Sequence, residues 1–231
     1  MTGEKRVTLL CGHYGSGKTN VAVNLALRLR EHCDRVAVAD LDIVNPYFRT
    51  LDSRDDFAHA GIRLICSAFA NSNVDLPSMP QDLYAITDDR SLHVIADVGG
   101  DDRGALALGR LAPAILEEND FEMLFVVNRF RPLTPDAPSA MEVLREIEAA
   151  CGIPFTGIVN NSNLGIETTP ETVLSSLSYA EKISRLSGLP IRYTSAMASV
   201  CDALAGKVPR LLPLHLQKKI TDEPFHKGET T

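Results

Sequence analysis

Three observations predict one three-layer α/β domain with a doubly wound, mostly parallel sheet of about seven strands. Short apolar runs alternate with longer helix-like stretches from one end of the chain to the other, which is the rhythm of strand–helix–strand units. The apolar runs are continuous rather than alternating in polarity, so both sheet faces are expected to be covered. The 231 residues, 45% hydrophobic and 23% charged, have ordinary globular usage and can build a core without disulfide staples.

The elements follow in order along the chain. Residues 7–10 read as a strand and 18–33 as the helix after it. A second strand is expected at 35–39, and a third at 62–65, introduced by Gly61. A fourth lies at 93–96 with a helix at 102–118. A fifth, 122–127, leads through a Pro-punctuated loop to a helix at 137–150. A sixth, 155–159, precedes a helix at 171–186, and 191–194 is a short seventh. Three stretches break the rhythm: 42–60, 67–80 and 128–138, rich in polar residues and proline. All follow strands, and in open α/β sheets such loops build the ligand site. The reading gives a nucleotide-type domain over 1–206 and a C-terminal helix and tail over 207–231, with 211–220 as one amphipathic helix and the end as a solvated tail.

Composition narrows the function classes. No run of about 18 apolar residues occurs, so no membrane span is expected. The polar start leads into a short apolar run without a small-residue cleavage site, so no secretory signal is expected. The net charge of -7 opposes a broad electrostatic grip on nucleic acid or anionic lipid. Cys11, Cys33, Cys66, Cys151 and Cys201 are scattered without a CxxC pair, which suits reduced thiols in a cytoplasmic protein. The six histidines show no metal-ligand spacing, so no dedicated zinc site is expected.

The strongest motif is Gly12-His13-Tyr14-Gly15-Ser16-Gly17-Lys18-Thr19. It fits G-x-x-x-x-G-K-[ST] between a strand and a helix, the context that a phosphate loop requires. Its glycines let backbone N–H groups turn inward as an anion nest, and the helix starting near Lys18 adds its positive end. Lys18 suits the β- and γ-phosphates, and the Thr19 hydroxyl suits Mg²⁺. Asn20 follows in the same turn. Such a loop needs carboxylates to hold Mg²⁺ and orient a nucleophile. The second strand ends in Asp40-Leu41-Asp42, and two residues apart on an extended chain point the same way. The fourth ends in Asp97-Val98-Gly99-Gly100. There an acid follows an apolar run, and the two glycines let the chain swing in to offer N–H groups to a γ-phosphate.

These residues resemble a known family. Gly15 to Ala26, followed by Val36 to Asp42, is similar to the MinD/ParA-type P-loop ATPases, the CobQ/CobB/MinD/ParA nucleotide-binding domain. The similarity covers about residues 5–200 and is specific in the first 45. Asp40 to Arg49 together with Asp97 to Gly104 resembles an ATP-binding branch of that superfamily. The resemblance implies an ATPase that binds Mg-ATP, hydrolyses it to ADP, often forms a nucleotide-dependent homodimer with the nucleotide sandwiched, and drives a protein partner by that hydrolysis. It implies phosphate and Mg²⁺ roles for Lys18 and Thr19, a water-facing carboxylate at Asp42, a metal-side carboxylate at Asp40, and the Mg²⁺-linked acid at Asp97. It implies an adenine-edge contact at Asn160, with Asn161 beside it. The family's signature lysine falls at His13, which is shorter and only partly charged at neutral pH. The lysine's role across a dimer therefore does not carry over, and Arg49, Arg103, Arg129 or Arg131 could supply a charge instead.

Weaker signals remain open. Residues 128–132 suit either a partner surface or a plain Pro-terminated loop. Tyr47 and Phe48 suit a switch segment or core filler, and 71–75 is polar enough to touch a ligand. The leading expectation is a Mg-ATP-dependent switch for a partner protein or cofactor-assembly process, with water attacking under Asp42. The alternatives are an ATP-dependent small-molecule kinase or ligase on the same scaffold, and a nucleotide-binding module without turnover.

Overall fold

A computed structural model describes residues 4–41, 53–66, 81–100 and 102–216. The expectations placed on Asp42, Tyr47, Phe48, Arg49 and residues 71–75 lie outside the described residues. The strands are β1 (Val7–Cys11), β2 (Val36–Leu41), β3 (Arg63–Cys66), β4 (His93–Val98), β5 (Phe121–Val127), β6 (Gly157–Asn160), β7 (Ile191–Met197) and β8 (Leu211–Leu214). The helices are α1 (Lys18–Arg30), α2 (Arg54–Ala60), α3 (Ala85–Asp88), α4 (Asp102–Glu118), α5 (Ala137–Cys151), α6 (Pro170–Ser187) and α7 (Cys201–Leu204).

Among the described residues the strands form one sheet in the order β3-β2-β4-β1-β5-β6-β7-β8. Every neighbouring pair is parallel. The chain winds from β1 toward β3, returns through β4, and then crosses β1 to build the other half. The crevice at the carboxyl end of β1 is thus the switch point where such folds place ligands.

Strand periodicity divides the core in two. Leu9, Ala39, Ala96 and Phe125 pack with Leu108, Leu111 and Ile115 of α4, Ala140 and Leu144 of α5, and Tyr179 and Ile183 of α6. Their neighbours Leu10, Val38, Ile95, Leu124 and Val126 face the other way, against Val21, Ala22, Leu25 and Leu29 of α1 and Phe57 of α2. Alternate residues of a strand serve opposite layers, so continuous apolar runs are what a sheet covered on both sides requires. Phe125 meets Phe155 at 5.1 Å between ring centroids.

Two expectations are corrected. The 211–220 stretch does not begin as a helix: Leu211–Leu214 is β8, pairing with β7 from Thr194↔Leu211 to Met197↔Leu214. Leu212 and Leu214 are buried while Pro213 is exposed, a period of two. Pro213 lacks an N–H and is tolerated because β8 is an edge strand. The polar 42–60 stretch contains α2, which anchors itself through Phe57 alone among its buried residues. Its single apolar anchor left no periodic signal. The sheet therefore runs beyond residue 206. Among the described residues no helix is long and apolar enough to cross a membrane.

Candidate functional site

The phosphate loop joins β1 to α1 at the switch point. Gly15 and Gly17 adopt φ 75° and 86°, left-handed conformations that glycine reaches without a Cβ penalty. Gly17 is also sterically confined, since a Cβ there would lie 2.2 Å from Asn161 Nδ2. It stands at the N-cap of α1, and among the described residues no side chain caps that helix. The positive end of the helix dipole therefore points into the phosphate loop, where it favours an anion.

The Lys18 ammonium is buried and donates to the carbonyls of Gly12, at 3.1 Å, and His13, at 3.4 Å. It spans the mouth of the loop. The Ser16 hydroxyl is buried inside the loop and has no hydrogen-bond partner among the described residues. A buried hydroxyl without a partner costs about 1–3 kcal/mol, so its position suits a bound anion or water. His13 is half-buried, with Nδ1 2.9 Å from the Tyr14 carbonyl, and Tyr14 is 56% exposed. Asn20 sits in the first turn of α1, where its carbonyl accepts from Asn24. Asn24 in turn exchanges hydrogen bonds with the backbone of His215, tying the chain after β8 to α1.

The acids come together as their strand positions demand. Asp40 and Asp97 are register partners on the adjacent strands β2 and β4. Each lies two residues beyond a side chain of the α1 layer, Val38 and Ile95, so both carboxylates face α1. There Thr19 Oγ1 donates to Asp97 Oδ2 at 2.6 Å. Asp97 is 1% exposed and Asp40 7%, and two neighbouring buried carboxylates favour a cation between or beside them. Hydroxyl and carboxylate oxygens suit a hard cation such as Mg²⁺. Among the described residues no three His, Cys, Asp or Glu side chains gather as a cage.

Past β4 the chain presses against the loop. Gly99 is buried, and a Cβ on Gly100 would lie 2.6 Å from Tyr14 N and 2.8 Å from Gly12 O. A side chain at Gly100 would push the two loops apart.

The two asparagines at the end of β6 separate into two jobs. Asn161 Nδ2 donates to Ser16 O at 2.6 Å, and Asn161 Oδ1 accepts from Ser195 Oγ at 2.6 Å and Asn163 Nδ2 at 3.0 Å. It braces the phosphate loop from β6 and β7. Asn160 is fully buried; its Nδ2 donates to Ser176 Oγ at 2.9 Å and its Oδ1 accepts from Ser162 Oγ at 2.7 Å. The expectation that Asn160 reads an adenine edge meets an amide already engaged inside the protein. That geometry suits a tie between β6 and α6. Sequence reasoning named Ser16 and Asn161 but missed Ser195 and the brace itself, because Asn161 and Ser195 meet only through folding.

Two of the candidate arginines are described with their side chains. Arg129 donates to the Ser175 carbonyl at 2.6 Å and stacks on Phe130, so α6 holds it. Arg131 lies at the phosphate loop: a Cβ on Gly15 would sit 3.5 Å from its Nε. The four described cysteines are free thiols, and burial, followed by the Cys151 thiol, pushes Cys11 well above the ordinary thiol range. Cys11 ends β1 beside the loop as an inert apolar filler.

Comparisons with known proteins agree on the scaffold. The structure is similar to the cell division protein FtsY from Thermotoga maritima, with a TM-score of 0.56 at 19% identity over 82% of this chain and 61% of that one. It is similar to FtsY from Mycoplasma mycoides, with a TM-score of 0.51 at 15% identity over 80% and 58%. A Signal Recognition Particle 54 kDa protein from Aeropyrum pernix K1, solved in complex with GDP, gives 0.52 at 18% identity over 81% and 40%. The chain thus spans about three fifths or less of these proteins, and the likeness is one of fold. No curated protein matches the chain. The family model for the CobQ/CobB/MinD/ParA nucleotide-binding domain matches residues 9–186. With its phosphate loop at the switch point and its acids on the neighbouring strands, the chain belongs to the CobQ/CobB/MinD/ParA nucleotide-binding domain family.

Proposed function

We propose that the protein binds Mg-ATP, hydrolyses it, and acts as a nucleotide-dependent switch for a protein partner or a cofactor-assembly process. The observation that carries this reading is the Thr19–Asp97 hydrogen bond of 2.6 Å beside the Lys18 ammonium, a cation-and-phosphate arrangement at a helix N-terminus. Lys18 leaves the Gly12 and His13 carbonyls for the β- and γ-phosphates. Thr19, Asp97 and Asp40 would hold the cation. The cation, when bound, neutralises charge on the transferring phosphoryl group. Asp42 orients the attacking water, and the N–H groups of Gly99 and Gly100 meet the γ-phosphate.

The preference for adenine rests on the family and on the absence of an acid in residues 160–164, since a guanine site wants a carboxylate for the exocyclic amine. A partner-driven role is supported by the rim of the site. Tyr14, Phe130, Leu133, Leu164 and Ile166, the last 88% exposed, stand on the loops after β1, β5 and β6. The ATP form pairs through this rim with a second copy or a protein partner. A cytoplasmic setting suits the free thiols.

The test is turnover of ATP and GTP by the wild-type chain, Lys18→Ala and Asp42→Asn. Turnover of ATP above GTP, lost in both variants, supports the reading. Undiminished hydrolysis by Asp42→Asn removes Asp42 from its role. Turnover that appears only with an added metabolite favours an ATP-dependent small-molecule kinase or ligase.

A further inference from the structure

A cation rests on the phosphate loop with no carboxylate paired to it among the described residues. Arg131 is exposed on the turn after β5, yet a Cβ built on Gly15 would lie 3.5 Å from its Nε and 3.7 Å from both Cδ and Cζ. The loop beneath already carries Lys18 and the positive end of α1, both of which oppose a further cation at its rim. An anion in the loop would turn that repulsion into attraction.

The turn that carries Arg131 is fixed on both sides. Arg131 N donates to Asn128 O at 3.1 Å, and Arg131 O accepts from Thr134 N at 3.1 Å. Asn128 is buried; its Oδ1 accepts from Phe130 N at 3.0 Å and its Nδ2 donates to Asn163 O at 3.2 Å. Thr134 Oγ1 donates to Asn128 O at 3.0 Å, and the Thr134 carbonyl accepts from Tyr179 of α6 at 2.8 Å. The backbone of Arg131 is therefore held by β6 and α6 while its side chain lies along the loop. A Cβ on Gly100 would lie 2.6 Å from Tyr14 N and 2.9 Å from His13 C, and one on Gly15 would touch Arg131. Arg131 thus lies against the same loop that the chain after β4 presses on.

We propose that Arg131 is a second cationic clamp, supplied by the same chain, for the terminal phosphate of a bound nucleoside triphosphate. The proposal rests on the nucleotide reading above. A planar guanidinium can donate two parallel hydrogen bonds to a phosphate, which an ammonium cannot do in the same geometry. The triphosphate carries a terminal group that the diphosphate lacks, so Arg131 distinguishes the two.

The test is calorimetric titration of the wild-type chain, Arg131→Ala and Arg131→Lys with ADP and with a non-hydrolysable ATP analogue, each with Mg²⁺. Arg131→Ala is expected to weaken the analogue by about tenfold or more and ADP by no more than about threefold. Arg131→Lys should recover part of the loss, and the ligand-free melting temperature should not move. Equal weakening of both ligands, or none of either, overturns the clamp while leaving the nucleotide reading intact. A wild-type chain that binds neither nucleotide overturns both.

Discussion

The N-termini of α1 and α6 are built in opposite ways. Helix α6 begins with a reciprocal capping box, in which Thr169 accepts from Thr172 N and the Thr172 hydroxyl accepts from Thr169 N, with Pro170 in the first turn. Helix α5 is similar, with Asp136 accepting from Ser139 N at 2.9 Å. Helix α1 starts at Gly17 with no side-chain cap. Capping is worth about 0.5–2 kcal/mol, and α1 forgoes it. Its stability comes instead from an apolar face that packs on the sheet through Val21, Ala22, Leu25 and Leu29. The first turn of α1 thus has no side-chain cap, and the loop ahead of it is braced from behind through Asn161 and Ser195. The comparison separates residues that keep the fold from residues that shape the phosphate loop.

Mutations at the two ends sharpen that separation. The largest effect is expected from Lys18→Ala, which should weaken Mg-nucleotide binding by about 100-fold or more while leaving the melting temperature close to wild type. A loss of affinity that tracked a loss of stability would instead make Lys18 a fold residue. Asn161→Ala comes next. It removes the brace to Ser16 O, and we expect about a tenfold loss of affinity together with destabilisation of about 1–2 kcal/mol, read by titration and by urea unfolding.

Tyr179 tests the capped side. Burial pushes its hydroxyl from 10.0 up to about 12, against the hydrogen bond to Thr134. The folded state therefore holds the phenol proton more tightly than the unfolded one. The stability this contributes is fully present below pH 10 and is lost as the pH rises toward about 12. The unfolding free energy from urea titration should fall across that window by more in the wild type than in Tyr179→Phe, by up to about 2 kcal/mol. Identical pH profiles would remove Tyr179 from the alkaline transition. The smallest effect is expected from Thr169→Ala, which should cost about 1 kcal/mol in urea unfolding and leave nucleotide affinity unchanged.

The same contrast explains what the sequence made legible. The phosphate loop, β1 and α1 could be read because their chemistry is local, with the glycines, Lys18 and Thr19 within eight residues. Asp40 and Asp97 could be read because each ends an apolar run. The brace could not: Asn161 and Ser195 are 34 residues apart and meet only when β6 and β7 pair. Asn160 and Asn161 are adjacent and chemically identical, and only the fold turns one toward α6 and the other toward the loop. β8 was hidden because Leu-Leu-Pro-Leu shows little polarity alternation, and its edge position is a property of the sheet. Arg131 could be named among several arginines, but its place over Gly15 depends on a turn anchored from α6.

The central claim is that the uncapped end of α1 is a Mg-nucleotide site. Equilibrium titration of the wild-type chain with a non-hydrolysable ATP analogue, with Mg²⁺ and with the metal chelated, tests it most directly. The account predicts saturable one-site binding that weakens by about tenfold or more when Mg²⁺ is removed and disappears in Lys18→Ala. Absence of binding in the wild type, or binding indifferent to both Mg²⁺ and Lys18, would contradict it.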